Sequence, residues 1–104
     1  MSCLAYFFGG VFLANAVPHS VSGLMGRAFQ SPFAKPPGEG LSSATVNVLW
    51  GFFNLAVAYL LLVQVGSFDL HSFVDVGVAF AGALAISLPM SRHFGRFHGG
   101  NLSR

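Results

Sequence analysis

Three apolar runs, separated by two polar interruptions of unequal length, account for most of the chain. The middle run, Ala44–Val65, holds no Asp, Glu, Lys or Arg. As a helix rising 1.5 Å per residue it would be about 33 Å long, enough to cross a hydrocarbon core of about 30 Å. Ser42 and Ser43 precede it as candidate N-caps, and Gly66 closes it. The third run starts near residue 70 or 73 and continues to 90. Asp69 or Ser72 can cap it, and Ser72 with Asp75 three residues on has the spacing of a capping box. Pro89 sits at its far end, where it tilts the last turn or marks the exit.

The first run is shorter. Residues 3–17 would reach only about 22 Å, less than a full crossing. A helix over about 4–26, kinked at Pro18, would suffice; the alternative is a break at Pro18 followed by a short interfacial helix. The continuous, kinked helix is the favoured expectation. Ala14-Asn15-Ala16 also has the form of a signal-peptidase site, but Met1-Ser2 supplies no basic n-region ahead of the apolar stretch.

Within these runs the polar and small positions follow helical spacing. Asn47, Gly51, Asn54 and Ala58 recur at intervals of four, three and four, forming one stripe along the second span. Such a stripe lets another helix approach closely and hydrogen bond across the gap, as interhelical asparagines do for about 0.6–2 kcal/mol each. Asn15 and His19 in the first span and Gln64 in the second are the other polar groups at membrane depth. The third span carries Gly77, Ala81 and Ala85 on one row and Ala79, Ala83 and Ser87 on the next, with Gly82 adding to the smooth surface. Two small-residue rows exceed what one neighbour requires, so a homo-oligomer or a larger membrane complex is the expected partner, alongside the bilayer itself.

Composition decides the class. Hydrophobic residues make up 54% of the 104-residue chain and charged residues 8%. That leaves too little polar surface for a water-soluble domain, in which about 25% of residues are charged. A mean hydropathy of +0.68 agrees. The five Lys/Arg are too few and too scattered for a nucleic-acid footprint. They are not scattered with respect to topology. Arg27 and Lys35 lie between the first and second runs, and Arg92, Arg96 and Arg104 follow the third. The positive-inside rule then predicts an all-α bundle of three transmembrane helices, N-terminus out and C-terminus in, with a cytoplasmic loop over 27–43 and a cytoplasmic tail over 91–104.

The loop contains Pro32, Pro36, Pro37, Gly38 and Gly40, which together exclude a regular helix and favour a stiff, turned segment. In the tail, Arg92, Phe94, Arg96 and Phe97 combine bases and rings in the manner of a membrane-surface anchor. Candidate chemistry is sparse. One cysteine, Cys3, excludes an internal disulfide, and no Ser-His-Asp, HExxH or CxxC arrangement occurs, so no enzyme activity is expected. His19, His93 and His98 fall on one side of the membrane with Glu39, but His93 and His98 are five apart rather than four, and neither a metal nor a haem cofactor is expected.

Asn15-Ala-Val-Pro18-His19, Phe29-Gln-Ser-Pro32-Phe33-Ala34 and Asn47-Val-Leu-Trp50-Gly51 together resemble an uncharacterised family of small bacterial integral membrane proteins, over about residues 4–100. The resemblance implies a bacterial inner-membrane setting and transfers no functional residues. The function expected is that of a structural or accessory subunit, or a homo-oligomeric membrane module. The rival is a minimal oligomeric transporter or channel whose polar path is lined by Asn15, His19, Asn47 and Asn54.

Overall fold

A computed structural model of the chain describes residues 2–102. It contains three helices, each long and apolar enough to cross a membrane: α1 (Ser2–Leu24), α2 (Ala44–Tyr59), extended by a π-helical segment over Leu60–Val65, and α3 (Phe73–His98). Two short strands, β1 (Phe29–Gln30) and β2 (Leu41–Ser42), pair antiparallel inside the loop between α1 and α2, with Phe29 opposite Ser42 and Gln30 opposite Leu41. This ladder is an addition to the all-α expectation. The proline and glycine residues that exclude a helix bend the loop back on itself, so its two flanks meet.

α1 is the centre of the bundle. It packs against α2 along one side and α3 along the other, while α2 and α3 scarcely touch. The molecule is therefore a slab, 37 × 35 × 22 Å. Pro18 lies within α1 without ending it, and the continuous helix reaches 23 residues, about 34 Å.

Each helix end has a local cause. The Ser43 hydroxyl accepts a hydrogen bond from the Val46 N–H, and Ser72 caps α3 in the same way through the Asp75 N–H. The Asp75 carboxylate accepts from the Asp69 N–H rather than from the Ser72 N–H, which bonds the Asp69 carbonyl, so only the serine half of the expected capping box forms. In the π-helical segment the Gly66 N–H bonds the Leu61 carbonyl, and the widened turn lets the Gln64 amide donate to the Tyr59 hydroxyl. Tyr6 of α1 meets this end: its hydroxyl accepts from the Ser67 N–H and its ring packs edge-on against Phe68.

α3 corrects one expectation. It does not exit at Met90 but runs through Pro89 and on to His98, so most of the expected tail is helix. Phe94 and His98 stand one turn apart and both rings pack on Phe29 of the loop, which holds the extension in place. Gly99, in the left-handed conformation at φ 77°, ends it.

The interior is inverted relative to that of a water-soluble protein. Among the described residues the buried apolar side chains are only Ala5, Tyr6, Ala16 and Ala58, whereas the largest fully buried side chains are Asn47, Asn54 and Ser31. Leu, Val and Phe side chains cover the outside of all three helices.

Candidate functional site

The polar residues of α1 and α2 meet in two rungs. Asn15 and His19 lie one turn apart on α1, and they face Asn54 and Asn47 of the antiparallel α2. In the outer rung, next to the loop, the Asn47 amide nitrogen lies 3.1–3.2 Å from three carbonyls, those of Phe29, Ser42 and Ser43. That end of the side chain must therefore be the donor. The amide oxygen is left facing His19 Nδ1 at 2.7 Å, so Nδ1 carries the proton and donates it. One asparagine thus holds α1, both flanks of the loop and the first turn of its own helix.

The inner rung follows the same logic. Asn54 donates to the Trp50 carbonyl one turn back at 2.8 Å, which orients its oxygen toward Asn15, whose amide donates to it at 3.0 Å. Between the rungs Gly51 lies against Ser20, where any side chain on the glycine would collide with the serine backbone. The buried residues of α2 are Asn47, Gly51, Asn54 and Ala58.

The loop closes over this end of the seam. The Ser31 hydroxyl shares a 2.6 Å hydrogen bond with the Ser42 hydroxyl and accepts from the Phe33 N–H, and the Ser31 carbonyl accepts from the Gly38 N–H. The far end of α3 grips the same loop. Arg96 donates to His93 Nδ1 at 3.1 Å, so Nε2 carries the hydrogen, which it gives to the Gly38 carbonyl. His98 Nε2 donates to Gln30 Oε1 at 2.8 Å. Rings fill the space between: Phe29 stacks on His98, and Phe94 packs edge-on against His19. A cavity of about 270 Å³ remains, bounded by Asn15 and His19 of α1, Trp50 of α2, Met90, His93 and Phe94 of α3, and loop residues from Gln30 to Gly38.

The expected site residues divide into three groups. Asn15, His19, Asn47, Gly51 and Asn54 come together. Gly77, Ala81 and Ala85 do not join them: this row of α3 points away from α1 and is exposed, and nothing lies near Gly77. The contact is made by Gly82 and Ala79 instead. A Cβ on Gly82 would overlap the Phe7 carbonyl, and one on Gly10 would overlap the Ala79 carbonyl. The third group is the basic-aromatic segment. Arg92, Arg96 and Phe97 are exposed, but Phe94 is not a surface anchor, because the turn of helix that carries it aims its ring at Phe29 and His19. Arg104 lies outside the described residues.

His19, His93 and His98 gather round one end of the bundle without converging: among the described residues no group of three His, Cys, Asp or Glu could hold a metal ion. Sequence reasoning missed Gln30 and Ser31 and read Ser42 only as a candidate N-cap; polar residues in a loop carry no periodic signal. It also missed the Trp50 indole N–H, which is buried with no hydrogen-bond partner among the described residues.

Comparison of the chain with protein-family models, curated proteins and solved structures finds no match.

Proposed function

We propose that this chain is a multi-pass protein of the bacterial inner membrane, N-terminus out and C-terminus in, serving as a structural or accessory subunit in a homo-oligomer or a larger membrane complex. The carrying observation is the inverted interior. Asn47 and Asn54 are 0% exposed and spend their hydrogen bonds inside the chain, while the large apolar side chains face outward. In water that exterior would be a large exposed apolar surface; in lipid it is solvated, and asparagines paired within the chain are what a dry helix interface requires. The charge pattern supports the orientation: Arg27, Lys35, Arg92 and Arg96 fall at the loop end of the bundle, and Asp69 and Asp75 at the other.

The transporter reading draws less support. A path lined by Asn15, His19, Asn47 and Asn54 would have to break the two rungs that join α1 to α2. Native mass spectrometry of protein released in mild detergent at native expression level tests the proposal. A defined multiple of the 11.0 kDa chain, or co-release with a larger protein, is the expected result. A monomer whose reconstituted ion or solute flux disappears in Asn54→Leu would overturn it.

A further inference from the structure

The cavity at the loop end keeps hydrogen-bonding capacity that the fold does not use. Because Nδ1 of His19 donates to Asn47, Nε2 is an acceptor, and it has no hydrogen-bond partner among the described residues. Asn15 lines the same cavity and spends its amide on Asn54, leaving its carbonyl oxygen as a second acceptor one helical turn away. One donor complements them: the Gln30 amide nitrogen is unengaged among the described residues, because His98 occupies only the oxygen. His19 and Gln30 are only 2% and 3% exposed, so these groups are not simply hydrated surface.

We propose that this cavity binds a small, uncharged, planar molecule that both donates and accepts hydrogen bonds, of the phenol or quinol class. Charge is disfavoured because no Asp, Glu, Lys or Arg borders the cavity, and an ion would lose its hydration with no counter-charge to replace it. Planarity suits the walls. Trp50 and Phe94 are aromatic lining residues, Met90 adapts to fill what remains, and the indole is held by Phe33 edge-on and Phe53 stacked against it. Size follows from the volume: 270 Å³ lies just below the range of about 300–1,000 Å³ typical of drug-sized ligands, which suits a single ring. A hydroxyl would donate to His19 Nε2 while an oxygen accepts from the Gln30 amide nitrogen. The site uses the orientation that Asn47 and Asn54 impose on His19 and Asn15, but it does not depend on the chain's being a subunit of an assembly.

The chain has one tryptophan, and it lines the cavity, so its fluorescence reports occupancy directly. The full chain in mild detergent is titrated with phenol, with toluene (same ring, no hydrogen bonds) and with benzoate (same ring, charged). A saturable spectral change with phenol is expected, against only a linear, partition-like change with toluene and none with benzoate. His19→Phe should weaken the phenol response by about tenfold. Met90→Phe, which fills the cavity and removes no partner of either rung's hydrogen bond, should weaken it with helicity and melting temperature unchanged. Phenol behaving like toluene would overturn the proposal, as would full phenol affinity in a folded Met90→Phe protein.

Discussion

α2 and α3 pack on the same central helix by opposite means. The α1–α2 seam is tied by side-chain hydrogen bonds, Asn15 to Asn54 and His19 to Asn47, with Gly51 set against Ser20 between them. The α1–α3 seam has no side-chain hydrogen bond. It closes where Gly10 meets the Ala79 backbone and Gly82 meets the Phe7 backbone, and then opens past Pro18 into a groove of about 340 Å³ lined by residues such as Ile86 and Met90. Hydrogen bonds fix register, because a one-residue slip would separate every donor from its acceptor. Small residues fix distance and leave register to shape. α3 then recovers register at its far end, through His93 on Gly38 and His98 on Gln30.

This contrast can be broken most severely at the backbone contact. Gly82→Leu would drive a side chain into the Phe7 carbonyl and should separate α3 from α1 at a cost on the order of 3 kcal/mol. Thermal unfolding in detergent reads this directly, and a melting temperature equal to that of the wild type would remove the backbone contact from the account. Asn47→Ala comes next. It leaves His19 Nδ1 and the Phe29 and Ser42 carbonyls without their partner, with an expected loss of about 2–3 kcal/mol. Hydrogen exchange should show the amides of Phe33 and Gly38 losing protection in this variant. Exchange confined to α2 would mean that Asn47 does not organise the loop.

The smaller effects sharpen the comparison. Asn54→Leu removes one rung and leaves only Asn15 to rearrange, so about 1 kcal/mol is expected, clearly less than for Asn47→Ala. Equal losses at the two sites would argue against the loop contacts that distinguish them. Gly77→Leu lies on the outward row of α3 and should change the stability of the single chain by no more than about 0.5 kcal/mol. If α3 presents that row to a second copy, the same substitution lowers the particle mass; an unchanged assembly would place the partner elsewhere. Finally, the orientation is open to Cys3, the chain's one thiol, which is exposed at the start of α1. A membrane-impermeant maleimide should label it in intact spheroplasts, and labelling only after lysis would reverse the proposed topology.

Much of α2 was legible because everything that shapes it is local. Its length follows from an uninterrupted apolar run, its start from Ser43, and its packing face from the spacing of Asn47, Gly51, Asn54 and Ala58. The third helix was less so. Proline at position 89 and the bases beyond it read as an exit, yet the helix continues because Phe94 and His98 find Phe29, which is more than sixty residues away in sequence. Its two rows of small residues were equivalent by composition and spacing. Only the positions of Gly10 and Phe7 on α1, which meet Ala79 and Gly82, select the row containing Ala79 over the row containing Gly77.

The amino-acid sequence alone determined the number of apolar helices, the gathering of positive charge at one end, and which positions on α2 are small or polar, since each is a matter of local composition and of a period near 3.6 residues. The tertiary structure decided which groups those positions meet. That Asn47 holds a loop as well as a helix, that His19 keeps one nitrogen free, and that Trp50 and Gln30 share a cavity with it all depend on contacts between segments distant in the chain. Hydrogen-bond partners across such distances leave no periodic trace, because the geometry that pairs them exists only once α1 lies between α2 and α3.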